Sequence, residues 1–240
     1  MNQLDLSSLT SGVPVARLVD HSLTTTMVEY ARAAVFRYHR ALDQYERDSR
    51  AHRWSFQPPV LAANRTIGVL GLGELGQAVA QALCADGFNV LGWSRSEKAI
   101  HGVECFSGES GLADMTAKID ILINVLPLTE ATRGILDRRL FERFSRPVQL
   151  INIGRGAHLA ELDLLIALET GKISAATLDV TAVEPMPDNS PLWGHPGILI
   201  TPHVAGLSSP ESAAAHIAKN IRLAMMNAPL INQIDLVKGY

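Results

Sequence analysis

The segment Gly71-Leu72-Gly73-Glu74-Leu75-Gly76 constrains this chain more than any other. It follows a short β-type run, Thr66 to Leu70, and opens a stretch of helical spacing that lasts to about Ala85. By itself G-x-G-x-x-G is weak evidence, because an ordinary glycine-rich turn can match it; the strand before it and the helix after it give it meaning. In that setting Gly71 supplies the tight turn, Gly73 lets a pyrophosphate approach the backbone, and Gly76 lets the helix pack closely on its strand. The helix start then aims unpaired N–H groups and partial positive charge at a phosphate. The segment predicts a dinucleotide site that includes Gly71, Gly73, Glu74, Leu75 and Gly76.

The same strand-to-helix alternation recurs along the chain. Asn89 to Trp93, Ile119 to Val125, Val148 to Ile153, Ala175 to Val180 and Ile198 to Thr201 read as strands, most of them separated by helical intervals. Repeated βα units imply a parallel sheet covered on both faces, so the expected fold is a doubly wound α/β (Rossmann) sheet. Ahead of it, Met27, Ala31, Ala34, Val35, Tyr38 and Leu42 recur at helical spacing, which predicts one long amphipathic helix from Thr25 to about Arg47. Pro58 and Pro59 mark a linker between Asp48 and Asn64. Pro210 to Met226 reads as a last helix, with Ala213, Ala214, Ile217, Ile221 and Met225 on one stripe.

Composition narrows the function classes. The chain has 240 residues, 47% hydrophobic and 19% charged, which suits a soluble globular protein of one large domain or two unequal ones. A formal charge of -3 leaves no bulk positive field for nucleic acid or an anionic membrane surface. Cys84 and Cys105 fit no zinc or redox spacing, and no apolar run reaches membrane-spanning length, so a cytoplasmic protein is expected. The histidines share no metal-binding spacing, and no metal site is expected. His195 lies between Gly194 and Pro196 and reads as part of a turn.

Past the second strand, Trp93-Ser94-Arg95-Ser96 stands where an NAD site usually carries an acidic residue for the ribose 2′-hydroxyl. A carboxylate would repel a 2′-phosphate, whereas Ser94 and Ser96 can donate hydrogen bonds to one and Arg95 can clamp or stack on it. NADP is the expected cofactor, with NAD still possible. The alternative is that Arg95 is only a solvated surface charge.

Three further motifs fall just past the carboxyl ends of strands, the edge at which this fold binds ligands. They are Asn152-Ile153-Gly154-Arg155-Gly156, Leu178-Asp179-Val180 with Glu184-Pro185, and Thr201-Pro202-His203-Val204-Ala205-Gly206. With the glycine turn, they resemble the D-isomer-specific 2-hydroxyacid dehydrogenase family from about Val15 to Tyr240. Trp93 to Ser96, Leu126-Pro127-Leu128-Thr129, Pro191-Leu192-Trp193 and Gly239-Tyr240 resemble its glyoxylate/hydroxypyruvate reductase A branch. The resemblance implies that Arg155 holds the substrate carboxylate and polarises the keto oxygen, that His203 exchanges the proton, and that Glu184 pairs with His203. It also implies that Asp179 contacts the nicotinamide carboxamide, and it adds Leu126, Pro127, Thr132, Ile153, Gly154, Ala205 and Gly206 to the cofactor site. The chemistry suits those types: hydride arriving at a keto carbon leaves charge on oxygen, which an imidazolium neutralises by proton transfer. The arginine fork matches a planar carboxylate.

The resemblance divides the chain into 1–24, a remnant of a flavodoxin-like substrate domain; 25–205, the dinucleotide-binding domain; and 206–240, a helical segment that returns to the substrate domain. Family members carry a substrate-domain segment ahead of the stretch that begins here at Met1. A genuinely shortened protein and a start codon chosen too late are both open readings. Pro14 to Leu18 reads as the last strand of that domain, and the stripe on the final helix is expected to be exposed or covered by a partner chain. The leading expectation is an NADPH-dependent reductase of a small 2-oxoacid, glyoxylate or hydroxypyruvate. The alternative is a non-catalytic dinucleotide-binding or regulatory protein. The helix from Thr25 is expected to pair two subunits in a homodimer, as the family's corresponding helix does.

Overall fold

The computed structural model of the protein describes residues 13–18 and 20–234. The expectations placed on the first twelve residues and on Gly239-Tyr240 lie outside the described residues. The chain forms two compact units, Met27–Ala205 and a smaller one made of residues up to Thr26 together with those from Gly206.

The larger unit is built on a sheet of β1 (Thr66–Leu70), β2 (Asn89–Ser94), β3 (Val103–Ser107), β4 (Ile121–Asn124), β5 (Val148–Asn152), β6 (Ile173–Leu178) and β7 (Ile198–Ile200). Its order is β3-β2-β1-β4-β5-β6-β7, with every neighbouring pair parallel. The chain runs outward from β1 to β3 and then crosses back to β4, which puts a switch in strand order between β1 and β4. Parallel strands need helices on both faces, and period-two alternation serves both. Ile121 and Ile123 join one apolar cluster with Val79, Leu83 and Ile151, while Leu122 joins another with Leu70, Leu150, Leu164 and Phe141. The helices between strands are α3 (Glu74–Ala85), α4 (Gly108–Thr116), α5 (Arg138–Glu142) and α6 (Glu161–Glu169), following α1 (His21–His39) and α2 (Leu42–Arg50).

The structure departs from the sequence expectations in three places. Strand β3 is additional to the strands that the sequence marks: its burial is only partial, and at the sheet edge beside β2 it needs no continuous apolar run. The single helix from Thr25 to Arg47 is two. Asp20 starts α1 four residues early by accepting the Leu23 N–H at 2.8 Å, the bond of an N-cap. The helix then breaks at Ala41, whose φ of 53° is left-handed, and α2 continues from there. Neither Arg40 nor Ala41 opposes a helix, so tertiary bonds make the break. Tyr38 hydrogen-bonds Thr177 of β6 at 2.7 Å, Arg37 pairs with Glu46 at 2.5 Å, and Asp48 gathers Gln44, Arg53 and Ser55.

In the smaller unit, α7 (Pro210–Met225) starts on Ser209, whose hydroxyl accepts the Ser212 N–H at 3.1 Å. Pro14 to Leu18 forms no strand: among the described residues it makes one isolated antiparallel bridge, Ala16 to Gln233. Ile217, Ile221 and Met225 on the α7 stripe are exposed. Among the described residues, no helix is long and apolar enough to cross a membrane.

Candidate active site

The glycine turn forms as its chemistry requires. Gly71 lies at φ 100° and donates its N–H to Trp93 O at 2.8 Å, locking the end of β1 to β2. A Cβ on Gly76 would sit 1.7 Å from Gly71 O, so only glycine lets α3 approach the strand this closely. A Cβ on Gly73 would meet nothing within 4 Å; the space above that exposed backbone is open. Gly73 also starts α3 without a side-chain cap, leaving first-turn N–H groups for a ligand. Glu74 is exposed and Leu75 half-buried beside them. An anionic pyrophosphate fits this cradle.

The Trp93 to Ser96 segment is only partly as expected. The Trp93 indole is buried and donates to Gly108 O at 2.7 Å, so that side chain is structural. Ser94 donates its one hydroxyl proton to Ser96 O at 2.6 Å and cannot also donate it to a phosphate. Arg95 and Ser96 are exposed just past β2. The Thr132 hydroxyl donates to Pro127 O at 2.7 Å and accepts the Thr129 N–H at 2.8 Å, closing the loop after β4. Leu126 and Ile153 are buried, Pro127 is exposed, and Gly154 is buried beneath Arg155.

Arg155, Glu184 and His203 lie past the carboxyl ends of the adjacent strands β5, β6 and β7. A Cβ on Gly156 would fall 1.8 Å from Thr181 O, so glycine there lets the Arg155 loop lie directly against the loop after β6. The exposed Arg155 side chain folds back to donate to Gly154 O at 2.6 Å. His203 Nδ1 meets Glu184 Oε2 at 2.7 Å, and Glu184 Oε1 accepts the Thr181 N–H at 3.2 Å. The carboxylate is held by its own loop and in turn orients the imidazole, leaving Nε2 to exchange protons.

Asp179 also has a structural task that its place in the sequence does not announce. It is 2% exposed, and its oxygens accept from Thr201 Oγ1 at 2.6 Å, Val204 N at 2.8 Å and Ala205 N at 2.8 Å. Its own carbonyl accepts the His203 N–H at 2.9 Å. Asp179 therefore shapes the loop that carries His203. Gly206, the next residue after that loop, is where the smaller unit resumes. Thr201 is further held by Tyr30 of α1, hydroxyl to hydroxyl at 2.5 Å. Nothing in the sequence points to Tyr30, because its partner is 171 positions away; Thr201 could have been suspected from its place in the quoted motif.

Comparison with known proteins identifies the family. Residues 32–205 match the family described as D-isomer specific 2-hydroxyacid dehydrogenase, NAD binding domain. A glyoxylate/hydroxypyruvate reductase A from Serratia proteamaculans is 44% identical over 233 residues, which cover 97% of this chain and 74% of that protein. A D-isomer specific 2-hydroxyacid dehydrogenase from Xanthobacter autotrophicus Py2, solved with NADPH and MES, superposes with a TM-score of 0.93 at 41% identity, covering 95% of each chain. The NADPH-dependent glyoxylate/hydroxypyruvate reductase of Sinorhizobium meliloti, solved with NADP and sulfate, gives 0.92 at 38% identity, covering 95% of this chain and 74% of that one. With its glycine cradle at β1 and its Arg155, Glu184 and His203 loops at β5 to β7, the chain belongs to the D-isomer specific 2-hydroxyacid dehydrogenase family.

Proposed function

We propose that this protein reduces a small 2-oxoacid, glyoxylate or hydroxypyruvate, to the 2-hydroxyacid with NADPH. The observation that carries the reading is the 2.7 Å pair of His203, on a loop clamped by Asp179, with Glu184, on the loop after β6 next to the Arg155 loop after β5. The named reductases among the relatives support the substrate class, and the NADPH and NADP in solved relatives support the cofactor. Gly71 to Gly76 would hold the pyrophosphate and Arg95 the 2′-phosphate; bound there, NADPH supplies the hydride. Arg155 binds the substrate carboxylate through its planar fork. His203 gives its Nε2 proton to the keto oxygen as charge develops there, and Glu184 holds the ring on its Nδ1 side and stabilises the charged imidazole. NAD serves as a weaker cofactor.

The test is direct: the purified chain, mixed with glyoxylate and NADPH, consumes NADPH absorbance. NADPH binding without turnover would instead make it a dinucleotide-binding protein without this activity.

The same reading makes the protein a cytoplasmic homodimer. The free thiols of Cys84 and Cys105 suit a reducing compartment. The extended segment after α2 presents Trp54 at 104% and Phe56 at 78% exposure, apolar surface that suits a second copy better than water. Sedimentation at micromolar concentration should give twice the 26.0 kDa chain mass; a single-chain species would remove the dimer.

A further inference from the structure

Beneath Arg155 lies a wholly buried polar network that the proposed mechanism does not use. Asn124 at the end of β4, Asn152 at the end of β5 and His158 in the short helical turn Gly156–His158 are each 0% exposed. Backbone groups fix how every member is oriented, because an N–H can only donate and a carbonyl can only accept. Gly154 N–H donates at 3.3 Å to Asn152 Oδ1, and Leu126 N–H donates at 3.3 Å to Asn124 Oδ1. Asn152 Nδ2 is thereby turned to Arg155 O at 3.3 Å. Asn124 Nδ2 donates both its protons, to Asn152 Oδ1 at 2.9 Å and to His158 Nδ1 at 2.9 Å. Arg155 N–H also points at His158 Nδ1, at 3.1 Å. With donors on that side, Nδ1 carries no proton. The proton sits on Nε2, which donates to Pro127 O at 3.3 Å.

We infer that His158, as the neutral Nε2–H tautomer, is the positioning residue that sets the Arg155 main chain, and through it the guanidinium, for the substrate carboxylate. The inference rests on the proposed role of Arg155. One ring face of the network grips both sides of the site: Nδ1 holds the Arg155 loop and Nε2 holds the Pro127 loop. The His158 main chain is anchored separately, its carbonyl accepting the Leu136 N–H at 2.9 Å, so the ring is presented to Arg155 from a fixed base. Burial, reinforced by the nearby Arg155 and Arg133 charges, pushes the imidazole pKa down and keeps the ring neutral. His158 touches no reacting atom, and the glycine turn proposed to hold the pyrophosphate lies on another loop; toward the cofactor the ring supports only the Pro127 side of the site. Its loss should therefore weaken oxoacid binding more than cofactor binding.

The test compares wild type, His158→Leu, His158→Asn and Arg155→Ala by calorimetric titration. The probes are NADPH, and then oxalate, an unreactive dicarboxylate shaped like glyoxylate, added to the NADPH complex. Leucine removes the acceptor for Arg155 N–H and should weaken oxalate binding at least about tenfold, and NADPH binding several-fold less than that. Asparagine places Oδ1 where Nδ1 stood and should restore oxalate affinity to within about threefold. Unchanged oxalate affinity in His158→Leu, or equal loss of both ligands in both His158 variants, overturns the inference. Arg155→Ala separates the two claims. If it loses oxalate while His158→Leu keeps it, the positioning role alone fails. If Arg155→Ala keeps oxalate, or the wild type binds none, the reading of Arg155 fails and takes the inference with it. Nitrogen-15 spectra of the histidine-labelled wild type check the tautomer without any variant: a proton on Nδ1 of His158 overturns the inference, and a proton on Nε2 alone supports it.

Discussion

His203 takes a left-handed backbone conformation, φ 57°, which a non-glycine residue keeps only when its surroundings hold it there. The holder is Asp179, whose carboxylate and carbonyl together receive the Thr201 hydroxyl and the N–H groups of His203, Val204 and Ala205. Removing the imidazole and loosening its support should therefore read differently. His203→Ala should lower kcat at least about a hundredfold and leave NADPH affinity intact, because proton transfer matters only during chemistry. Asp179→Asn sets an amide donor against N–H groups, and should cost about 1 to 3 kcal/mol of stability as well as turnover. Urea unfolding beside steady-state rates checks the pair; a fully stable Asp179→Asn would contradict the clamp. Cofactor choice is also decided by single residues. A charge-assisted bond to a 2′-phosphate is worth about 1.5 to 3 kcal/mol, so Arg95→Ala should reduce the preference for NADPH over NADH by about tenfold or more. Ser94→Ala should leave that preference unchanged, since the Ser94 proton is already given to Ser96 O. Titration of both cofactors into both variants settles the assignment.

At the scale of elements, the break between α1 and α2 shows tertiary bonds overriding local propensity. Ala41 is left-handed at φ 53°, where an L-residue is strained by about 1 to 2 kcal/mol, part of which glycine would lose again through its freer unfolded chain. Ala41→Gly should thus stabilise the protein by about 0.5 to 1 kcal/mol and raise Tm by about 2 °C. A lower melting temperature would mean that the junction is not strained. Strand β3 makes the complementary point. Its sequence, Val-Glu-Cys-Phe-Ser, has no long apolar run, and only the exposed edge of β2 gives it a pairing partner.

At the scale of the whole molecule, acid should act through histidines that the fold keeps neutral. Burial lowers the pKa of His39, with Arg65 and Arg40 adding to the effect, and lowers that of His158, with Arg155 and Arg133 nearby. Unfolded, both titrate near the ordinary value of about 6.5. Below that value the unfolded chain binds more protons than the folded one, so stability is full above about pH 6.5 and falls as pH drops through the lowered folded values. Urea midpoints should decline as pH falls below about 6.5, and His158→Asn should flatten the decline; a slope unchanged by that variant would remove His158 from the acid response. The Asp48 pKa is also lowered, by the Ser55 and Arg53 hydrogen bonds, but its effect belongs to more acid conditions. What the sequence determined by itself was local and periodic: the Gly71 to Gly76 turn, the apolar runs of the central strands, and the motifs that carry Arg155, Glu184 and His203. Those features follow from steric and hydrophobic rules acting over a few neighbouring residues, and they leave marks in the order of amino acids. The tertiary structure alone decided the break at Ala41, the edge strand β3, the clamp on the His203 loop by Asp179 with Thr201 and Tyr30, and the tautomer of His158. Each of these depends on which donors and acceptors distant segments bring together once water is excluded, and a hydrogen bond between residues 171 positions apart leaves no trace in local sequence.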